Sequence, residues 1–146
     1  MLDWQNIRLK LERLQEDLER LESHRQLTRE EFLGNDIIKY ATCYLFLRAI
    51  QGCLDIGAEL IALLGLRKPQ NNAEIFLILG EESILPQDFI KRLVNMVGFR
   101  NILVHEYWLV DFDKVYDNLQ NNLGDFPLFA QGIIAFLEKQ GGEEEP

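Results

Sequence analysis

WQNIRLKLERLQEDLERL, residues 4–21, carries an apolar stripe at Trp4, Ile7, Leu11, Leu14, Leu18 and Leu21, spaced three, four, three, four, three. That spacing follows one edge of an α-helix and leaves charged residues on most of the remaining surface. Such a helix buries a narrow seam against other helices. The stripe ends too soon for a long coiled coil, so the stretch reads as one member of a helical bundle.

The rest of the chain extends this reading. Thr28 and Glu31 in TREE stand at capping-box spacing and start a short helical turn. A long helix is expected from about Asn35 to Leu64, stopping near Gly65 with Arg67, Lys68 and Pro69 beyond it. NAEIFLILGEE predicts a short helix ending at Gly80, and a fourth follows with Pro86 in its first turn and runs through Arg100. Asp111 or Asp113 caps a fifth helix through VYDNL, which Pro127 breaks or restarts before LFAQGIIAFLEK. No alternating strand pattern, internal repeat or linker interrupts the series. The expectation is an all-α, up-and-down bundle of about five helices: a single domain over residues 1–140, then a solvated, disordered acidic tail at 141–146.

Composition narrows the function. At 146 residues and 47% hydrophobic, the chain can bury a core without metals or disulfides. Cys43 and Cys53 lack C-x-x-C spacing and read as buried reduced thiols, which fits a reducing compartment. The start, MLDWQNIRLK, has no apolar centre of the signal-peptide kind. The uncharged stretch YATCYLFL (40–47) is far short of the roughly 18 residues of a membrane helix. A cytoplasmic location is expected. The net charge of −9, spread evenly, repels a phosphate backbone. A nucleic-acid role therefore requires a local basic island or a small, closely held substrate; a basic protein partner would also suit the charge.

With His24 and His105 the only histidines, no H-E-x-x-H occurs, and neither has the preceding glutamate that di-iron bundles use. Nor is there a phosphate-cradling glycine loop or a G-x-S-x-G elbow. No metal or cofactor is expected. His24 follows the first helix in a charged stretch and reads as a solvated surface residue.

The end of the fourth helix is different. Ile90, Leu93, Val94, Val97 and Val104 make one apolar face and Met96, Phe99 and Leu103 a second. Residues 99–104 are apolar nearly all round, which implies burial on two sides, one in the core and one in a two-fold subunit interface. Into this stretch come Arg100, Asn101 and His105. Asn101 and His105 are neighbours on one face, while Arg100 lies about 140° round from His105, with a side chain long enough to reach across or to meet its symmetry mate. An unpaired buried guanidinium is costly, so a partner or an anionic ligand is implied. Composition and spacing leave two readings open: a structural arginine–carboxylate pair beside a core histidine, or a compact site for phosphates.

RNILVHEY, residues 100–107, resembles the R-x4-H-x-Y motif of the HEPN superfamily. RNILVHEYWLVD is similar almost throughout to the HepT-like toxin branch, the HEPN half of MNT/HEPN toxin–antitoxin pairs. FLRAIQGCLDIGAELI (46–61) resembles the family's long helix, with Arg48, Gln51 and Asp55 forming a polar line through it. The resemblance covers roughly residues 5–140, and all three motif positions match. It implies a HEPN-like homodimer acting as a metal-independent endoribonuclease, with RNA as substrate and no membrane role. It gives His105 the acid/base role, Arg100 the phosphate and Asn101 a supporting one, with Arg48 and Asp55 lining the site. It further implies that a cognate MNT-type nucleotidyltransferase antitoxin switches the toxin off by adding AMP to Tyr107. Tyr107 would point away from His105 on a continuous helix, and to the same side if the backbone turns extended. Lys91, Arg92 and Arg100 against Asp88 and Glu106 suggest a small basic pocket. The alternative is a catalytically inert helical partner of the nucleotidyltransferase.

Overall fold

The chain begins its described part with a helix whose apolar seam is the one read from the sequence: in α1 (Gln5–His24), Ile7, Leu11, Leu14, Leu18 and Leu21 are all buried. The computed structural model describes residues 3–144, with side chains through residue 141. Six further α-helices follow among the described residues: α2 (Arg29–Leu33), α3 (Asp36–Leu63), α4 (Asn72–Glu81), α5 (Gln87–His105), α6 (Phe112–Asn121) and α7 (Asp125–Glu144). A single 3-10 turn, Tyr107–Leu109, joins α5 to α6, and no strand is present among these residues. The all-α expectation holds. The helix count exceeds five because α2 forms a helix of its own and α6 and α7 are separate.

Local chemistry explains most of the boundaries. Thr28 and Glu31 close a reciprocal capping box on α2, with Thr28 Oγ1 accepting from the Glu31 N–H at 3.2 Å and Glu31 Oε1 from the Thr28 N–H at 2.9 Å. Asn35 caps α3, its Oδ1 accepting from the Ile38 N–H. At the other end Gly65 adopts φ +67°, and the N–H groups of Leu66 and Gly65 return to the carbonyls of Ile61 and Ala62. This Schellman arrangement is one glycine enters without a Cβ penalty. Of the two candidate caps for α6, Asp111 is the one used, accepting from the Asp113 N–H. Pro127 does not break α7, because it sits in the first turn, where no backbone N–H needs an intrahelical partner. Helix α7 also continues through residues 141–144 of the expected tail; the last two residues of that tail lie outside the described ones.

Helix α3, 28 residues long, contacts every other α-helix. Phe46 at its middle meets Phe99 of α5 edge-on at 5.3 Å and Phe126 of α7 at 6.4 Å. Gly57 lets α4 approach closely: a Cβ there would lie 2.6 Å from Ile75 Cγ2 and 3.3 Å from Leu79 Cδ1. The buried apolar residues of all these helices form one continuous cluster. Cys43 and Cys53 are free thiols, and burial pushes Cys43 up to about 11 and Cys53 higher still, so neither ionises readily near neutrality.

His24 departs from the surface residue expected. It is half-buried, and its Nδ1 lies 2.8 Å from Thr42 Oγ1 on α3. Thr42 gives its hydroxyl hydrogen to the Ile38 carbonyl at 2.7 Å, so Nδ1 must be the donor to Oγ1. Burial lowers the pKa of this histidine below the usual 6.5.

Candidate active site

Helix α5 carries the motif further than Arg100, where the sequence suggested it stopped. No glycine or proline intervenes, and the helix ends at His105 because Glu106 leaves helical geometry (φ −135°, ψ 37°). Arg100, Asn101 and His105 therefore occupy its last two turns. The buried trio expected from the apolar surroundings is not what this chain forms by itself. Arg100 is half-buried, but Asn101 and His105 are exposed, and Ile102 between them is 38% exposed. Leu103 turns to the core, and among the described residues no element covers the opposite side of these turns. An all-round apolar sequence records that two sides are apolar, not that one chain covers both.

The Arg100 guanidinium is positioned from α3. Its Nε donates to Gln51 Oε1 at 3.2 Å and its Nη1 to Asn101 Oδ1 at 3.2 Å. Gln51 Nε2 in turn donates to Asp55 Oδ1 at 2.9 Å. A carboxylate only accepts and a guanidinium only donates, so Asp55 holds the amine end of Gln51 and leaves its carbonyl facing Arg100. Among the described residues Arg100 has no carboxylate within ion-pair distance, so its charge stays available to an anion. Asn101 supports Arg100 rather than His105, and the exposed imidazole has no hydrogen-bond partner among the described residues.

The other candidates divide. Asp55 joins the site through Gln51, whereas Arg48 does not reach Arg100. Its Nε donates instead to Asp17 Oδ2 on α1 at 3.2 Å. Tyr107 follows in the 3-10 turn, neither on a continuous helix nor in an extended strand. It is 69% exposed, stacks edge-on with Trp108 at 5.3 Å, and lines a groove of about 220 Å³ with Tyr40, Tyr44, Leu103 and Phe112. The local basic excess shrinks, because Arg92 is paired with the buried Asp125 of α7, too distant in sequence to be foreseen. Gln51 was visible as part of a polar line at helical spacing; its contact with Arg100, 49 residues away, was not. No three His, Cys, Asp or Glu side chains converge to hold a metal ion among the described residues, and no helix there is long and apolar enough to cross a membrane.

Residues 14–133 match the family model for HepT-like proteins, described as ribonuclease HepT-like. A tRNA nuclease HepT from Aphanizomenon flos-aquae is 28% identical over 131 residues, spanning 90% of this chain and 89% of that protein. An mRNA nuclease HepT from Shewanella oneidensis is 33% identical over 88 residues, 60% of this chain and 66% of that one. Among solved structures, the tri-AMPylated Shewanella oneidensis HEPN toxin in complex with MNT antitoxin superposes with a TM-score of 0.83 at 26% identity, over 92% of this chain and 99% of that one. YutE, a cytosolic protein of unknown function from Bacillus subtilis, shares the fold, with a TM-score of 0.84 at 22% identity over 95% of this chain and 93% of that one.

Proposed function

The chain belongs to the ribonuclease HepT-like family, and we propose that it is the toxin of an MNT/HEPN pair, a metal-independent endoribonuclease. The observation that carries this reading is the presentation of Arg100 and His105 at the exposed end of α5, with Arg100 aimed by Gln51 and paired with no carboxylate among the described residues. RNA brings its own nucleophile, the ribose 2′-hydroxyl. An imidazole exchanges protons near neutral pH, so His105 can take the 2′-hydroxyl proton as the oxygen attacks phosphorus. The bond from phosphorus to the 5′-oxygen then breaks, and that oxygen is protonated. The products are a 2′,3′-cyclic phosphate and a 5′-hydroxyl. Arg100 donates to the phosphate oxygens and stabilises the added negative charge of the transition state.

One histidine per chain serves one proton transfer well, and two transfers are needed. A homodimer across the uncovered side of α5 supplies two copies of His105. The exposed Ile102 and the exposed Tyr107, Trp108 and Leu109 beside the motif support such an interface. The cognate nucleotidyltransferase, in this reading, adds AMP to the exposed Tyr107 hydroxyl and switches the toxin off. A bulky anion there would compete with an RNA phosphate for Arg100. The net charge of −9 and the pairing of Arg92 favour a second reading, an inert partner of the nucleotidyltransferase.

One experiment separates the two. Wild type, Arg100→Ala and His105→Ala are expressed with and without the neighbouring nucleotidyltransferase, and RNA cleavage and intact mass are recorded. The toxin reading expects wild-type cleavage reduced at least about a hundredfold in either variant. It also expects AMP-sized mass increments that Tyr107→Phe removes. A folded, unmodified wild type without ribonuclease activity supports the inert partner.

A further inference from the structure

We propose that the groove between α1 and α3 is an RNA subsite that seats one nucleotide flanking the scissile phosphate; the proposal rests on the ribonuclease reading above. The groove has a volume of about 290 Å³ and shares a wall with the motif: Gln51, which holds Arg100, also lines it, as does Asp55. Lys10, Arg13 and Arg48 supply its cations. Lys10 is engaged by Glu59 at 3.1 Å, but Arg13 is exposed and has no carboxylate partner among the described residues.

Arg48 is held in an informative way. Asp17, only 3% exposed, accepts from its Nε, and neither terminal amine of Arg48 has an acceptor among the described residues. The other Asp17 oxygen is buried without a hydrogen bond; its nearest cation, Arg20 Nη1, stands 3.5 Å away. A buried, half-satisfied carboxylate weakens a fold. Here it holds a guanidinium by its Nε and leaves both terminal amino groups unpaired among the described residues, donors that a phosphate oxygen can use.

Tyr44 completes the site. It is 60% exposed, and the Arg48 guanidinium stands 6.0 Å from its ring centre. An exposed aromatic ring beside an arginine is how proteins hold single-stranded RNA, the base stacking on the ring while the guanidinium meets the backbone. The three cations of the lining exceed its two carboxylates, Asp17 and Asp55, by one, which suits one nucleotide rather than a long strand.

The test is steady-state cleavage of a short single-stranded RNA with one cut site, and of versions trimmed by one nucleotide on either side of it. Wild type is compared with Tyr44→Ala and Arg13→Gln, two exposed positions whose substitution leaves the core intact. The subsite predicts that Tyr44→Ala raises KM about tenfold, with kcat held within about twofold. It predicts a smaller KM rise for Arg13→Gln. Both effects vanish on the RNA trimmed of the seated nucleotide. Unchanged KM in both variants while wild type cleaves overturns the subsite and leaves the ribonuclease reading standing, as does a loss confined to kcat. Wild type that cleaves none of the RNAs removes the ribonuclease reading, and the subsite with it.

Discussion

Two histidines in one chain take opposite parts, and their neighbours decide which. His105 stands exposed with no hydrogen-bond partner among the described residues, open to the substrate contact proposed for it. His24 joins α1 to α3 through Thr42, and burial lowers its pKa. A histidine depressed in the folded state binds fewer protons there than in the unfolded chain. Its contribution is present above the ordinary value of 6.5 and is lost as pH falls through the lower folded value. Melting temperatures measured from pH 7.5 down to pH 5 should therefore fall less steeply for His24→Gln than for wild type; parallel curves would show that His24 does not carry the dependence. Little of this was legible in advance. Sequence marked Arg100, Asn101, His105 and Tyr107 by their motif. It did not show that Asn101 serves Arg100, because adjacent residues leave a helix about 100° apart, or that His24 finds Thr42 on another helix, because hydrogen bonds between helices have no signature in spacing.

At the scale of elements, α3 does most of the organising, and Gly57 marks where it is tightest. Replacing a mid-helix glycine by alanine ordinarily helps a helix by about 1 kcal/mol. Here the added Cβ would stand 2.6 Å from a branch methyl of Ile75, and overpacking of that kind costs about 1–3 kcal/mol. Gly57→Ala should thus be neutral to destabilising by up to about 2 kcal/mol in urea unfolding. A clear stabilisation would mean that α4 moves away freely. Where a boundary is set by a few adjacent residues it was readable: Thr28 with Glu31, Asn35, and Gly65 each do locally what their chemistry dictates. The end of α5 was not, because Glu106 leaves helical geometry with no breaker residue to mark the place. Pro127 misled for a related reason, since its effect depends on which turn it enters.

For the whole molecule, the acidic charge and the exposed apolar residues around the motif belong to one design. A net charge of −9 keeps nucleic acid off most of the surface. Arg100 and, in the proposed subsite, Arg13 are cations near the motif without a carboxylate partner among the described residues. Ile102, Tyr107, Trp108 and Leu109 leave an apolar surface near the motif that the described residues do not cover. The α1 stripe and the apolar long helix made the bundle legible from sequence. The second side of α5, uncovered among the described residues, agrees with a sequence reading that placed its cover in another subunit. Which of Arg100, Asn101 and His105 stands exposed was not legible, because spacing does not fix how far each side chain is covered. The most direct test of the central claim, that Arg100 and His105 cleave RNA through its own 2′-hydroxyl, is to identify the ends of the RNA that purified wild-type protein produces in excess chelator. The account predicts 2′,3′-cyclic phosphate and 5′-hydroxyl ends, absent with His105→Ala. Ends bearing 3′-hydroxyl and 5′-phosphate, or cleavage that stops when metal is removed, would contradict it.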